Sequence, residues 1–371
     1  DLPKRKAWLA AAEVLLAGDS LSSANRRSEL DGLLGEDINL DTLFQINPHH
    51  QLDAKQLIHS IPWFSVANNI AQSQNFHHWE LIFTEILGPA IETAQPRGFD
   101  LMFGNPPWVG TGWKEAPLLC EYEPLLGVRD AKSAKLNATR PSLLENEKLR
   151  MDYRDQFCSS EGAAVFLNDI TLYPSLSGMR TNLYKNFIER SWALLFKDGI
   201  AGLLHPPGCF DDPRGILFRQ NYYARLRGHF QFSNQLMWFK DIGHRNPFSM
   251  NTYSGNASDP NFKAMFNIFH PTTLEQSYKH KNFADPVPSI KNEKGSWNFQ
   301  GHKARVLSIT NNELKLFSKL FEDEGRPENQ ARLPQIHSLP LIDVLEKFAI
   351  APQRLNDLTN QFWTTTLMDE A

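Results

Sequence analysis

The sequence predicts an α/β fold, and three observations carry that expectation. Two short apolar runs, 99–103 and 200–204, have the composition of buried parallel strands. Each stops at a rigid turn, Gly104-Asn105-Pro106-Pro107 in one case and His205-Pro206-Pro207-Gly208 in the other. Between them Leu183, Phe187, Ile188, Trp192 and Leu195 recur at helical spacing. Further on, 230–239 and 262–269 read as strands, the latter alternating through Phe262, Ala264, Phe266 and Ile268. A strand, a long crossover, a helix, a strand, a helix and then two strands close together indicates a sheet with an antiparallel edge.

Composition bounds the class of protein. The 371 residues carry 38 Lys+Arg against 42 Asp+Glu, and 41% are hydrophobic. That is enough apolar material for one large core or two smaller ones, and it excludes general disorder. The longest apolar runs are about five or six residues, against the ~20 needed to span a bilayer. Cys120, Cys158 and Cys209 form no C-x-x-C pair. A sparse, odd set of thiols points to a reducing compartment, so a cytoplasmic protein with no membrane partner is expected. No signal-peptide pattern follows Asp1, and the chain stops at Ala371 without a closing element. The expectation is a piece of something longer.

The other elements follow in order. Residues 1–98 form a mainly helical segment, with helices expected at 8–16, before Gly18-Asp19, and at 53–61, from a capping Asp53 to a stop at Pro62. Residues 99–271 form the core, interrupted by a polar insert at about 109–180. Within the insert, the stretch 129–154 carries seven basic residues, Arg129, Lys132, Lys135, Arg140, Lys148, Arg150 and Arg154, against four acidic ones. Thr181 is the expected N-cap of the helix that follows, and Gly199 its closing residue. Helices are expected again at 214–227, 313–321 and 341–348. Residues 272–371 make a mainly helical C-terminal segment.

The chemistry concentrates in Asn105-Pro106-Pro107-Trp108, directly after the first strand. Ligand sites of open α/β sheets lie beyond the carboxyl ends of strands. An aromatic amine is a poor nucleophile, because its lone pair is delocalised into the ring. The Asn105 side-chain oxygen and the Pro106 carbonyl supply two acceptors that can hold its two N–H bonds and favour a tetrahedral nitrogen. The prolines fix φ near −65° and so hold that carbonyl in place. Trp108 offers a flat face to an extruded base, an interaction worth ~1–3 kcal/mol per base. A plain turn remains the alternative, since Asn-Pro and Pro-Pro are common loop residues.

Taken with Phe76-His-His-Trp-Glu-Leu-Ile-Phe83, the run Gly98-Phe-Asp-Leu-Met-Phe-Gly-Asn-Pro-Pro-Trp-Val109 resembles the amino-group DNA methyltransferases. It is most similar to large N6-adenine methylases of restriction-modification and phage-defence systems, the type IIG enzymes and the methylases of BREX and DISARM loci. Residues 183–207 resemble the family's next helix and strand, 214–223 a further helix, and Phe248-Ser-Met250 with 262–269 the closing strands. The resemblance implies a Rossmann-like core that uses S-adenosylmethionine to methylate adenine N6 in double-stranded DNA after base flipping. Other subunits of a defence system are implied partners. Asn105, Pro106, Pro107 and Trp108 match the catalytic tetrapeptide. Phe210 is a candidate second aromatic face for the flipped base, with a core phenylalanine as the alternative.

One departure stands out. The family's glycine-rich donor-binding turn should precede the tetrapeptide, and residues 1–98 do not offer it: Leu15-Leu-Ala-Gly-Asp19 and Gly32-Leu-Leu-Gly-Glu36 lack the pattern and a preceding strand. Gly110-Thr-Gly112 follows no strand, and the position of a third glycine is Glu115, so it is no nucleotide motif. The donor-binding residues are therefore unassigned. Two readings follow: the turn lies upstream, or donor binding has been lost. The pairs His49-His50 and His77-His78 cannot point into one helical face, and no H-E-x-x-H is present, so no metal site is expected. Neither a G-x-S-x-G nor a Walker loop appears. The stretch 129–154 and Arg214, Arg219, Arg225 and Arg227 could meet phosphates or form a solvated face. RNA adenine, or a glutamine amide in a protein, is an alternative acceptor for the same turn. A non-catalytic DNA-binding or scaffold subunit is the alternative from another class.

Overall fold

A computed structural model describes residues 62–88, 98–129 and 132–351. The helices expected at 8–16 and 53–61 and the pair His49-His50 lie outside the described residues. The chain divides into two units, Asp1–Thr84 and Glu85–Ala371. In the first, α1 (Pro62–Gln74) begins at the proline expected to end a helix. That is where proline belongs, since the first turn leaves its missing N–H unused. The short α2 (Trp79–Ile82) follows, with Trp79 stacked on Phe83 at 5.6 Å. A turn of helix, α3 (Thr84–Leu87), crosses the boundary.

The second unit is built on a mixed six-stranded sheet of order β1-β2-β4-β3-β5-β6. The strands are β1 (Phe99–Gly104), β2 (Leu195–His205), β3 (Leu226–Ser233), β4 (Pro247–Ser254), β5 (Asn261–Ile268) and β6 (Leu307–Thr310). The pairing directions make β1, β2, β3 and β5 mutually parallel, with β4 and β6 reversed. An antiparallel edge is present, as β6. A second reversed strand, β4, lies inside the sheet. The strand expected at 230–239 is shorter and earlier, because Asn234 turns the chain at the end of β3.

Four helices of the insert follow β1: α4 (Ala116–Tyr122), α5 (Pro124–Val128), α6 (Ser133–Leu143) and α7 (Glu147–Leu167). They enclose a small core of Leu118, Leu119, Leu126, Leu136 and Leu149. Arg140 makes two 2.6 Å bonds to Glu115, which also accepts from the Tyr153 hydroxyl at 2.9 Å. The Arg140 guanidinium holds the Glu115 carboxyl below its usual range.

Then α8 (Leu183–Leu194) runs straight into β2. Its N-cap is Asn182 rather than Thr181; the Thr181 hydroxyl instead accepts from the Asn168 amide at 2.6 Å. Nor does Gly199 close the helix. It lies within β2, where an added Cβ would come 2.4 Å from the Phe99 carbonyl oxygen, so glycine permits the close approach of β1. Next come α9 (Gly208–Asp211) and α10 (Ile216–Arg225). α11 (Pro271–Lys279) follows β5, and α12 (Asn311–Phe321) follows β6 behind a capping box formed by Thr310 and Glu313. α13 (Leu339–Ala349) is the last described helix.

One face of the sheet carries the main core. Ile188 and Trp192 of α8, Phe218, Tyr222 and Tyr223 of α10, and Leu314 and Phe317 of α12 pack there against Leu203, Tyr253, Phe262 and Ile309. Burying a side chain of this size stabilises the fold by ~1.5–3 kcal/mol. The other face is covered only in part. Phe232, Phe248, Met265 and Ile268 form a second cluster with Leu274 of α11. Toward β1 that face is open: Leu101 is 64% exposed, Phe103 83%, and the neighbouring Ile200 and Met250 both 50%. The reading of β1 as a buried strand is corrected here. It is parallel to β2 as expected, yet among the described residues it forms the sheet edge, with none paired to its far side. Apolar composition marks a strand meant for burial without supplying what covers it.

Candidate functional site

Because β1, β2, β3 and β5 are parallel, their carboxyl ends share one edge of the sheet. That edge gathers Asn105–Trp108 after β1, Pro206-Pro207-Gly208 after β2, the β3–β4 loop from Asn234 to Asn246, and Phe269-His270 after β5. The sequence-predicted tetrapeptide therefore stands where open α/β sheets bind ligands.

Within the tetrapeptide, Pro106 is buried, Trp108 half-buried, and Asn105 and Pro107 exposed. Among the described residues neither the Asn105 side chain nor the Pro106 carbonyl has a hydrogen-bond partner. Two acceptors one residue apart are thus free for a ligand. The buried Pro106 ring anchors one of them. Trp108 is fixed from two sides: its indole Nε1 donates to the Leu204 carbonyl at 3.2 Å, and its ring packs on Phe239 at 5.5 Å with a 58° tilt.

Phe239 belongs to the β3–β4 loop, and Asn234 organises that loop from within. Asn234 is fully buried; its Nδ2 donates to the carbonyls of Phe239 (2.8 Å) and Ile242 (3.1 Å), and its Oδ1 accepts from the Phe239 backbone N–H (3.0 Å). Neither residue was singled out in the sequence, since nothing in the local pattern signals a contact across 131 positions. The one available signal was a turn-forming Asn ahead of the aromatic pair Trp238-Phe239.

Phe210 is not brought to the tetrapeptide. It is 2% exposed and packs against Tyr222 (5.0 Å), Tyr223 (6.3 Å) and His229 (4.3 Å) in the main core. The α9 turn carries its ring inward, which leaves it no face for a base in this arrangement. The arginines after β2 are also largely committed. Arg219 is buried and donates to the carbonyls of Gln330 and Asp212. Arg225 lies over the Trp192 ring at 5.2 Å, and Arg227 binds the Asn256 carbonyl and the Ser258 hydroxyl. In the insert Arg140, Arg150 and Arg154 have acidic partners, while Arg129, Lys132, Lys135 and Lys148 have none among the described residues.

A buried polar chain lies beneath the edge. His205 Nδ1 donates to the Pro206 carbonyl at 2.7 Å, which leaves Nε2 to accept from the Tyr253 hydroxyl (2.6 Å) and the Asn251 amide (2.8 Å). Tyr222 donates to Tyr253 at 2.7 Å, and His229 Nδ1 donates to Asn251 Oδ1 at 2.7 Å. Ser249 donates to the His205 carbonyl at 3.0 Å. The carbonyl acceptors place a proton on Nδ1 of each ring. Burial drives the pKa of His205 down to about 3 and that of His229 to about 4. The chain locks β2, β3 and β4 together directly behind Leu204, the acceptor for Trp108.

No group of three or more His, Cys, Asp or Glu among the described residues could hold a metal ion, and no described helix is long and apolar enough to cross a membrane.

No protein-family model matches the chain, and no curated protein does. Among solved structures, it is similar to a type I restriction-modification methyltransferase subunit from Streptococcus thermophilus (11% identity, TM-score 0.26), covering 48% of this chain and 28% of that one. It is similar to the type I restriction enzyme EcoKI M protein (10%, 0.27), covering 45% and 40%. It is also similar to DrdV in its complex with DNA (13%, 0.27), covering 54% and 18%. The chain thus spans less than half the length of each, and the functional reading rests on the residues of the site.

Proposed function

We propose that Asn105–Trp108 is the catalytic turn of a DNA methyltransferase that modifies the N6 amino group of adenine, with S-adenosylmethionine as donor. One observation carries the reading. Two unpartnered acceptors, the Asn105 side-chain oxygen and the Pro106 carbonyl, stand one residue apart at the carboxyl end of a parallel strand, beside a tryptophan held in place. An exocyclic amine presents two N–H donors at this spacing. Accepting both draws the lone pair out of conjugation, and the half-buried Trp108 supplies the stacking surface for the base. No side chain need act as a strong base. The resemblance of 98–109 and of the elements after it to amino-group DNA methyltransferases supports this choice, and duplex DNA is the proposed partner.

The described residues do not by themselves form a cradle for the donor. Among the described residues no glycine-rich turn follows a strand next to β1. The open side of β1, with Leu101 and Phe103 uncovered, has the character of a seam. In our reading a further strand and turn pair with β1 and complete both the Rossmann-like sheet and the donor site.

Methyl-labelled S-adenosylmethionine offered with duplex DNA, RNA and protein separately tests the acceptor. Label in DNA, recovered as N6-methyldeoxyadenosine, is expected. Label in RNA or in a glutamine amide alone would replace the acceptor, and label in none would favour the scaffold reading.

A further inference from the structure

The tip of the β3–β4 loop is built in a way the methyl-transfer reading does not use. Leu236, Met237 and Trp238 are consecutive, large and apolar, yet 41%, 43% and 48% exposed. Met237 adopts a left-handed backbone conformation (φ 54°), which L residues with bulky side chains rarely take. Strain of that kind persists only where the surroundings impose it. Here they do: the Met237 N–H donates to the Asn234 carbonyl at 2.8 Å, and buried Asn234 grips the loop on its far side. Trp238 is steered at one end, where its indole N–H donates to the Phe269 carbonyl at 3.3 Å and its ring meets His270 at 5.5 Å. The loop is thus a stiff mount that turns three apolar side chains outward. It stands next to the tetrapeptide, since Phe239, the following residue, packs on Trp108.

Charge indicates the occupant. Lys240, His244 and Arg245 follow on the same loop, all exposed and without an acidic partner among the described residues, against the single carboxylate of Asp241. An apolar tip flanked by the cations Lys240 and Arg245 suits a polyanion that can open between stacked planes. We infer that Leu236-Met237-Trp238 is a wedge that enters a DNA duplex beside the base to be modified, unstacking it while Lys240 and Arg245 hold the backbone. Apolar side chains inserted between base steps kink and unstack duplexes elsewhere by the same physics. The gap left by an extruded base is one they can fill. The inference rests on the proposed function above and adds to it how the target base leaves the stack.

The test uses the complete protein and a short duplex containing 2-aminopurine, whose fluorescence rises when it unstacks, with duplex affinity followed in parallel by anisotropy. Wild type is expected to bind and to raise the signal. The double variant Met237→Asn, Trp238→Ala removes the wedge while relieving the left-handed strain, since asparagine tolerates that conformation. It is expected to lose about tenfold of the unstacking signal. Its affinity should fall far less. Met237→Leu, which keeps an apolar tip, is expected to retain the signal. Lys240→Ala with Arg245→Ala should instead weaken binding and flatten its salt dependence. An undiminished signal from the wedge variant at saturating DNA would overturn the inference and leave the methyltransferase reading intact. A change in self-association with no change in fluorescence would make the tip a protein contact and overturn it too. A wild-type protein that binds no duplex would overturn both.

Discussion

Trp108 and Leu204 are joined by a 3.2 Å hydrogen bond that ties the end of β1 to the end of β2. It sets the plane of the indole from the neighbouring strand, one residue before the buried His205 chain. Trp108→Phe keeps most of the ring contact and loses the bond, so a loss of about 1 kcal/mol is expected. Trp108→Ala also removes the contact with Phe239, and about 3 kcal/mol is expected. Urea unfolding of the two variants separates the contributions; a Trp108→Phe midpoint equal to that of the wild type would mean that the bond contributes nothing, and equal midpoints in the two variants that the ring contact contributes nothing.

Acid should destabilise the fold early. The pKa values of His205 and His229 are driven to about 3 and about 4 by burial, while in the unfolded chain each titrates near 6.5. The unfolded state therefore binds up to two more protons below pH 6.5. This contribution is fully present above 6.5 and is lost as pH falls toward 4, at about 1 kcal/mol per histidine per pH unit. Glu189, whose carboxyl burial pushes up, acts in the opposite sense nearer its own titration. His337, which burial also holds down, adds in the same sense; unfolding free energies measured from pH 7 to 5 should slope accordingly, and His229→Gln should make the slope shallower. A flat profile would contradict the buried chain.

Gly199→Ala should separate β1 from β2. The new Cβ would meet the Phe99 carbonyl oxygen at 2.4 Å and those of Phe196 and Asp100 at 3.1 and 3.2 Å, all of them backbone. A loss of more than about 2 kcal/mol is expected, at the upper end of single substitutions. Amide exchange along 99–104 should rise with it. Wild-type protection there would refute the close approach.

Asn234→Ala removes the bonds that shape the β3–β4 loop while leaving β3 and β4 paired. Three carbonyls, those of Phe239, Ile242 and Gly243, lose their donor. About 2–3 kcal/mol is the expected cost. Limited proteolysis should then cut within 235–246 in the variant and not in the wild type. Equal resistance would show that the loop is held by its apolar contacts alone.

How far all this was legible in the sequence depended on the kind of signal. α8 announces itself through helical spacing, and α10, α12 and α13 also read as helices; β2 shows as an apolar run and β5 as an alternation. β4 gave no apolar pattern, because Ser249 and Asn251 are buried by satisfying each other and His205 rather than by being apolar. β6 is only four residues long. The insert helices bury few side chains each, so their periodicity is faint. At the site, the tetrapeptide was visible because its chemistry is local. Phe239 and Asn234 were not, because each depends on which strands become neighbours; for Phe210 the structure bears out the core alternative.

The most direct measurement is methyl transfer to DNA by the complete protein carrying Asn105→Ala. Asn105 is exposed and unpartnered, so its loss should change stability by no more than about 0.5 kcal/mol. Methylation of adenine should disappear while the thermal midpoint stays at the wild-type value. Substantial residual transfer by the folded variant would contradict the account, because the amine would then be activated by something other than this turn.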